Sequence, residues 1–300
     1  MIDIVVLTDR RYIAPTDVSD YVQNILTEDQ LVVDALRRKG LTVERKSWDD
    51  SDFDWSTTKN ILFRTTWDYF DRFDEFEIWL NHVSEVTRLI NQKELIYWNI
   101  DKHYLQDLAK KDVNIPATIF IEKGEQRSLT ACIEKINWET FILKPAISGA
   151  GRHTYKFNKG DEARLNQIFF ELITNESLLL QEYQKQITTK GEVAFMVFGG
   201  KYSHAILKKA KPGDFRVQDD FGGTISNYEP SADEIAFIEK AFKAVSPTPA
   251  YARIDVIWDN NDQLCIGEIE LIEPELWFRK DENAADKFAN AIVSYINDVC

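Results

Sequence analysis

Apolar residues recur along this chain at spacings that predict a sheet of parallel strands at the N-terminus. The apolar run Ile2–Leu7 has strand length, and further strands are predicted at 41–45 and 60–64. A helix is predicted from Thr27 to Gly40, because Thr27-Glu-Asp-Gln30 matches a capping box and glycine commonly follows a helix. Strands that alternate with a helix predict a βαβ-type open parallel sheet.

The pattern predicts further strands and helices up to the C-terminus. One helix is expected from Tyr97 to Ala109, with Asn99 or Asp101 as its N-cap and Lys102 in its first turn. A lysine beside the positive end of a helix favours anion binding, although an exposed surface lysine is the alternative. Other strands are predicted at 115–121, 178–183, 191–198 and 201–208, and other helices at 76–87, 231–244 and from 281 onward.

Two apolar runs near the C-terminus predict a β-hairpin with charged residues on one face. At period two, Arg253 and Asp255 share a strand face, as do Glu268 and Glu270 on the second run. If the connecting loop is the pair Asn261-Asp262, Asp255 faces Glu268 and Arg253 faces Glu270.

The predicted hairpin face needs a positive counter-charge. Like charges directly opposite each other on a sheet are destabilising, and Asp255, Glu268 and Glu270 would lie together. A divalent cation with oxygen ligands, Mg²⁺ above all, would balance them. The alternative is a solvated edge hairpin held by an Arg-Glu pair.

A second charged feature follows residue 141. Lys144 interrupts an apolar strand, where a buried ammonium needs an anionic partner. The loop Ser148-Gly-Ala-Gly-Arg152 then offers backbone amides and a guanidinium that suit phosphate oxygens. A plain hairpin turn is the alternative, and the loop is not a P-loop, since GxxxxGK[ST] is absent.

Two loops carry candidate groups for a small acidic or zwitterionic ligand. In Arg64-Thr-Thr-Trp-Asp-Tyr69, Arg64 and Asp68 follow a strand of the predicted parallel sheet, the usual position of a ligand site. The glycine-bearing loop Gly213–Gln218 presents Arg216. The alternatives are an ordinary helix-start loop and a solvated basic loop.

Composition limits the function classes. A length of 300 residues fits two or three sub-domains, and a net charge of -14 disfavours nucleic acid and anionic membrane as partners. Cys132, Cys265 and Cys300 lack metal-ligand spacing and are expected to be reduced. No apolar run of transmembrane length is present in the sequence, so a soluble, cytoplasmic protein is expected.

Taken together, these motifs resemble the ATP-grasp superfamily, in the branch similar to glutathione synthetase and D-alanine:D-alanine ligase. Arg253-x-Asp255 followed by Glu268-x-Glu270 is the main marker. The resemblance implies an α/β fold that is α+β in its ATP-grasp part: an N-terminal open parallel sheet domain, 1–98, followed by two sub-domains, 99–183 and 184–300, that clamp ATP. Arg64-Thr-Thr-Trp-Asp-Tyr69 further resembles a subgroup that includes a cyclo-ligase forming D-cycloserine.

The resemblance also implies a role for each candidate residue. Two Mg²⁺ ions, with Mn²⁺ as an alternative, would be held by Asp255, Glu268 and Glu270, the last of which replaces a common Asn and adds a negative charge. Arg216 and Arg253 would be catalytic, and Arg64 and Asp68 would bind substrate. ATP would be bound by Lys102, Lys144, Ser148, Gly149, Gly151, Arg152, Glu182, Tyr183, Glu192 and Lys208.

The implied activity is ligation of a carboxylate to an amine through an acyl phosphate, on a small amino-acid-like or peptide substrate. The alternatives are an intramolecular cyclo-ligase, a kinase that stops at phosphate transfer, and a non-catalytic ATP-binding module. A metal-dependent nuclease fits poorly, because Glu270 stands where such a site needs lysine. A homodimer through the N-terminal domain is the oligomeric state that the resemblance implies.

Overall fold

The N-terminal region of the computed structural model is a four-stranded parallel sheet with strand order β2-β1-β3-β4. The structure describes residues 1–149, 151–217 and 222–298, so the expectations for Ala150, Gln218 and Cys300 lie outside the described residues. The predicted open parallel sheet is confirmed. Its elements are β1 (Ile2–Thr8), α1 (Asp20–Arg38), β2 (Val43–Ser47), β3 (Thr58–Thr65), α2 (Phe73–Val86) and β4 (Arg88–Ile90).

The predicted start of the first helix is wrong. Helix α1 begins at Asp20, where the Ser19 side chain accepts the N–H of Val22 at 3.3 Å, a standard N-cap. The capping-box pattern at 27–30 therefore lies inside the helix. Its acidic residues are used for buried contacts instead, and Asp29 pairs with Arg45 at 2.7 Å.

Two further sheets follow, and both are antiparallel. The second has strand order β5-β8-β6-β7 and the third β11-β10-β9-β12-β13. The extents of the three predicted domains stay a prediction. The remaining elements are α3 (Lys93–Ile100), α4 (Tyr104–Ala109), β5 (Thr118–Ile121), α5 (Leu129–Ile133), β6 (Thr140–Pro145), β7 (Tyr155–Asn158), α6 (Asn166–Ile173), β8 (Leu178–Glu182), β9 (Glu192–Phe198), β10 (Lys201–Lys209), β11 (Thr224–Tyr228), α7 (Ala232–Ala244), β12 (Tyr251–Trp258), β13 (Leu264–Glu270) and α8 (Ala284–Asp298).

The helix predicted from Tyr97 to Ala109 is two helices, α3 and α4, with a break at Lys102. Neither predicted cap starts a helix there. The Asn99 amide instead donates to the Ile269 carbonyl at 2.7 Å and accepts the Leu271 N–H at 2.7 Å. These bonds tie α3 to strand β13, so Lys102 lies beside the charged hairpin.

Alternating apolar residues pack the third sheet on both faces. On β9, Ala194, Met196 and Phe198 join a core with α1, α8 and one face of the N-terminal sheet, while Val193 and Phe195 join a core with α4 and α7. Helices α5 and α6 cover one face of the second sheet. No helix in the described ranges has both the length and the apolar character needed to cross a bilayer.

The β12–β13 hairpin has the predicted register at its charged residues. Asp255 pairs with Glu268 and Arg253 with Glu270. The expected two-residue loop is wrong, because Trp258 pairs with Leu264 and the turn is one residue longer. A bulge at Gly267 shifts the register back, so the four charged side chains still share one face.

Candidate functional site

A cavity of about 600 Å³ is lined by residues from all three sheet regions. We divide it into a lysine end, with Lys102, Lys144 and Lys208, and a loop end, formed by Asp68, Tyr69 and Glu273. Most of the predicted site residues line this cavity: Asp68, Lys102, Lys144, Ser148, Gly149, Gly151, Glu182, Tyr183, Glu192, Lys208, Arg216, Arg253, Asp255, Glu268 and Glu270. Arg64 and Arg152 do not.

Strand pairing brings opposite charges together at the lysine end. The Arg253 guanidinium donates to Asp255 from Nε at 3.0 Å and from Nη2 at 2.9 Å, and it also forms an ion pair with Glu270. Lys208 on β10 reaches Asp255 at 3.2 Å and forms an ion pair with Glu192. The sheet therefore carries an alternating network of carboxylates and cations at the cavity floor.

The other two lysines differ in how they are paired. Lys102 is buried, forms an ion pair with Glu268 at 2.9 Å and donates to the Ser148 carbonyl at 2.5 Å. The side-chain ammonium of Lys144, on β6, has no hydrogen bond or ion pair with any residue that the structure describes. Burial, reinforced by the nearby charge of Lys102, lowers the pKa of the Lys144 ammonium to about 8. It is a cation without a bonded anion.

The hairpin carboxylates differ in their protonation equilibria. Burial alone would raise the pKa of Asp255, but Arg253 and Lys208 hold this pKa below its usual value. Lys102 and Lys144 do the same for Glu268. Burial raises the pKa of Glu270 to about 8, because Arg253 does not offset the loss of solvation and the neighbouring carboxylates. Arg253 therefore offsets the negative charge of Glu270 only in part.

The carboxylates have the oxygen donors that Mg²⁺ takes in proteins. Within the described residues, no group of three or more His, Cys, Asp or Glu side chains is arranged to hold a metal ion. Asp255, Glu268 and Glu270 face Arg253, Lys102 and Lys208 instead. The raised pKa of Glu270 favours additional positive charge, so the donor chemistry fits Mg²⁺ once these ion pairs rearrange.

The hinge between the second and third sheets forms one wall of the cavity. Glu182 ends β8, and the Glu182 and Tyr183 N–H groups donate to carbonyls of the second sheet. The Tyr183 ring carries the Lys156 ammonium 3.6 Å from its centroid and packs edge-on against Phe215. The Glu182 and Tyr183 N–H groups are therefore already bonded within the protein and are not free to meet a ligand.

The predicted phosphate loop lies at the cavity, with one exception. Ser148 Oγ donates to the Arg152 carbonyl at 3.0 Å, and Gly151 has a φ of 69°, which glycine adopts without strain. Arg152, which was expected to contact phosphate, does not line the cavity. Its guanidinium makes two bonds of 3.0 Å with Glu176 and a longer ion pair of 3.8 Å with Asp71.

Gly149 of the same loop is in close contact with the N-terminal region. A Cβ atom at Gly149 would lie 2.6 Å from the Phe70 ring. Only glycine allows this approach, so the 148–152 loop and the loop after β3 are in direct contact. Arg216 lies across the cavity, where its guanidinium bonds Asp214 at 2.9 Å.

Arg64 does not face the cavity, contrary to prediction. Its side chain is 1% exposed, donates to the Pro274 carbonyl at 2.9 Å and lies over the Phe278 ring. Strand β3 is buried on both faces, so its alternation could not indicate which side meets the cavity. Asp68 does line the cavity, and it bonds Trp48 and Arg72 rather than Arg64.

No role was predicted from the sequence for Glu273 or Tyr69, both of which also line the cavity. Glu273 follows the end of β13, where period two no longer applies. Burial raises its pKa to about 7, while a hydrogen bond from Tyr69 opposes that rise. The carboxylate-rich stretch 268–275 was the only available hint.

Comparison with known proteins agrees with this fold. Residues 101–282 match the family model described as RimK-like ATP-grasp domain. Residues 4–91 match the model described as the N-terminal domain of D-cycloserine synthetase DcsG. The cycloserine biosynthesis protein DcsG of Streptomyces lavendulae is 28% identical over 276 residues, which cover 87% of this chain and 91% of that protein.

Solved structures are similar over the whole length. A crystal structure of D-cycloserine synthetase DcsG has a TM-score of 0.84 at 25% identity, covering 98% of this chain and 99% of that chain. A D-alanine–D-alanine ligase from Bacillus anthracis has a TM-score of 0.69 at 15% identity, covering 100% of this chain and 98% of that one, and indicates the fold alone.

Proposed function

Since the chain belongs to the RimK-like ATP-grasp family, we propose that it is an ATP-dependent carboxylate-amine ligase acting on a small amino-acid-like substrate. ATP-grasp ligases form C–N bonds with ATP and use Mg²⁺ in general. The observation that carries the proposal is the lysine end of the cavity, where Lys102, Lys144 and Lys208 converge on the β12–β13 carboxylates. This charge arrangement suits a bound nucleotide triphosphate with its metal.

In the proposed reaction a substrate carboxylate oxygen attacks the γ-phosphorus of ATP, ADP leaves, and an acyl phosphate forms. An amine then attacks the carbonyl carbon, the C–O bond to the phosphoryl group breaks, inorganic phosphate leaves with that oxygen, and the amine nitrogen loses a proton. Lys102, Lys144 and Lys208 hold the phosphates, and Arg253 stabilises charge on the transferred group. Asp255, Glu268 and Glu270 would hold Mg²⁺, which would supply charge neutralisation for the phosphates. No nucleophile from the protein is required.

We propose the loop end as the place of the organic substrate. It is walled by Trp67, Asp68 and Tyr69 of the N-terminal region, which matches the N-terminal domain model of D-cycloserine synthetase. That likeness supports one specific alternative, an intramolecular cyclo-ligase in which carboxylate and amine belong to one molecule. A bimolecular ligase would release a product that contains both reactants.

The test is phosphate release from Mg-ATP across a panel of D- and L-amino acids, their O- and N-substituted derivatives, and dipeptides. Hydroxylamine added to active reactions should trap the acyl phosphate as a hydroxamate, and mass analysis should identify the amide. Loss of water from one substrate indicates cyclisation. A stable phosphorylated product would favour a kinase, and binding of ATP without turnover on any substrate would favour a non-catalytic module.

A further inference from the structure

Glu273 differs from the hairpin carboxylates in its lack of a cationic partner among the described residues. Asp255, Glu268 and Glu270 each form an ion pair with a lysine or arginine. In the described part of the chain, no cationic side chain forms an ion pair with Glu273, and Lys102 attracts it only over a longer distance. The Tyr69 side chain is a hydrogen-bond partner of the Glu273 carboxyl group.

The backbone around Glu273 is held in place by side chains from distant parts of the sequence. Trp67 Nε1 donates to the Glu273 carbonyl at 2.8 Å, and Arg64 donates to the Pro274 carbonyl at 2.9 Å. The Tyr251 hydroxyl donates to the Ile272 carbonyl at 2.7 Å. Three successive carbonyls are thereby fixed, and the carboxylate is presented to the cavity on a rigid support.

A partly buried carboxylate without a counter-charge is costly, and a ligand cation would relieve that cost. Arg11 and Arg253, the arginines at this part of the wall, are already bonded to Asp9 and Asp255. The raised pKa of Glu273 has the same origin, because burial disfavours its ionised form. A bound positive charge would return the group to its carboxylate form.

We propose that Glu273, supported by Tyr69, forms a subsite that binds a protonated amine of the substrate. The subsite lies at the loop end of the cavity. The subsite therefore places a cationic nitrogen of the substrate at the loop end. The inference rests on the proposed function only because it takes this cavity as the substrate site. Arg64 acts through Pro274 as a positioning residue.

The experiment measures binding rather than turnover. Wild-type protein saturated with Mg-AMPPNP is titrated calorimetrically with alaninamide, which is a cation without a carboxylate, and with neutral N-acetylalaninamide. We expect alaninamide to bind at least about ten-fold more tightly, the order expected for one charged hydrogen bond. Glu273→Gln should abolish this difference and leave the AMPPNP affinity unchanged.

Asp71→Asn is the matched control. Asp71 also lines the cavity, but its side chain is 65% exposed at the rim, so its loss should leave the preference for alaninamide intact. If Glu273→Gln does not fold, Glu273→Asp keeps the charge, withdraws it by one methylene and should weaken alaninamide binding selectively.

No preference for alaninamide in the wild type, including no binding of either probe, overturns the inference. Equal losses of the preference for alaninamide in the Asp71 and Glu273 variants also overturn it. They would indicate a general electrostatic attraction of the cavity for cations rather than a direct contact with Glu273. Failure to trap an acyl phosphate would count against the proposed ligase and leave this binding result standing, so the two outcomes are distinguishable.

Discussion

At the lysine end of the cavity, Arg253 and Lys208 pair with carboxylates on the same and neighbouring strands, whereas at the loop end Glu273 faces the cavity without a cationic partner among the described residues. The first arrangement needs only correct strand pairing. The second depends on contacts between residues about two hundred positions apart, such as Trp67 with Glu273. We therefore expect nucleotide binding to depend on the ion pairs of the lysine end. We expect substrate selection to depend on Glu273, whose counter-charge the substrate would supply.

The largest expected effect is at the hairpin. Glu268→Gln should lower ATP turnover by about a hundred-fold, because it removes a proposed metal ligand and leaves Lys102 without its ion pair. Steady-state phosphate release measures this, with thermal unfolding as the check on folding. Glu176→Gln, which breaks the Arg152 pair outside the cavity, is the control. Wild-type turnover in Glu268→Gln would show that the proposed metal site is not at the lysine end.

A somewhat smaller effect is expected at Lys144. Lys144→Met should weaken ATP binding by about ten-fold or more, the loss expected for a charged hydrogen bond. The melting temperature should stay level or rise, because a buried ammonium without a bonded anion is removed. Calorimetry and thermal unfolding measure the two quantities. Lys159→Met, at an exposed lysine whose ammonium donates to the Ile136 carbonyl, should change neither. A large drop in melting temperature would mean that Lys144 is structural.

The pH dependence of ATP binding distinguishes the charge of Lys144 from its size. The ammonium is present below its pKa of about 8 and lost above it, so ATP affinity should fall by up to about ten-fold per pH unit above that value. Lys144→Arg stays charged and should flatten this part of the profile. Identical profiles for the two proteins would assign the pH effect to another group.

The smallest effect is expected at Arg64, and it probes the loop end. Arg64→Lys should lower the melting temperature by a few degrees, because the bond to the Pro274 carbonyl and the contact with Phe278 are weakened. Alaninamide binding should weaken a few-fold while ATP binding is unchanged. Arg37→Lys, which weakens a surface bond to the Val43 carbonyl, is the control. Unchanged stability with lost substrate binding would mean that Arg64 contacts the substrate directly.

The charged face of the β12–β13 hairpin could be predicted from sequence, because its geometry is local, whereas the convergence of Lys102, Lys144 and Lys208 on it was implied only by the resemblance. Because side chains alternate along a strand, Arg253 and Asp255 share a face whatever the loop length. The longer turn shifts the pairing register of the hairpin by one residue, and the Gly267 bulge shifts it back. The loop end could not be predicted in this way. Arg64 lies on a strand buried on both faces, so its direction depends on packing against the segment that contains Pro274. Arg152 shows the same limit, since its partner Glu176 lies in the separate loop between α6 and β8.

The contact between Phe70 and Gly149 links the two ends mechanically. Neither loop can shift by an ångström toward the other without a steric clash, so the 148–152 loop and the substrate-side loop should change position together. Thermodynamic reciprocity then applies: if nucleotide increases the affinity for substrate, substrate increases the affinity for nucleotide by the same factor. We therefore expect the two ligands to bind synergistically, in either order, rather than as independent events.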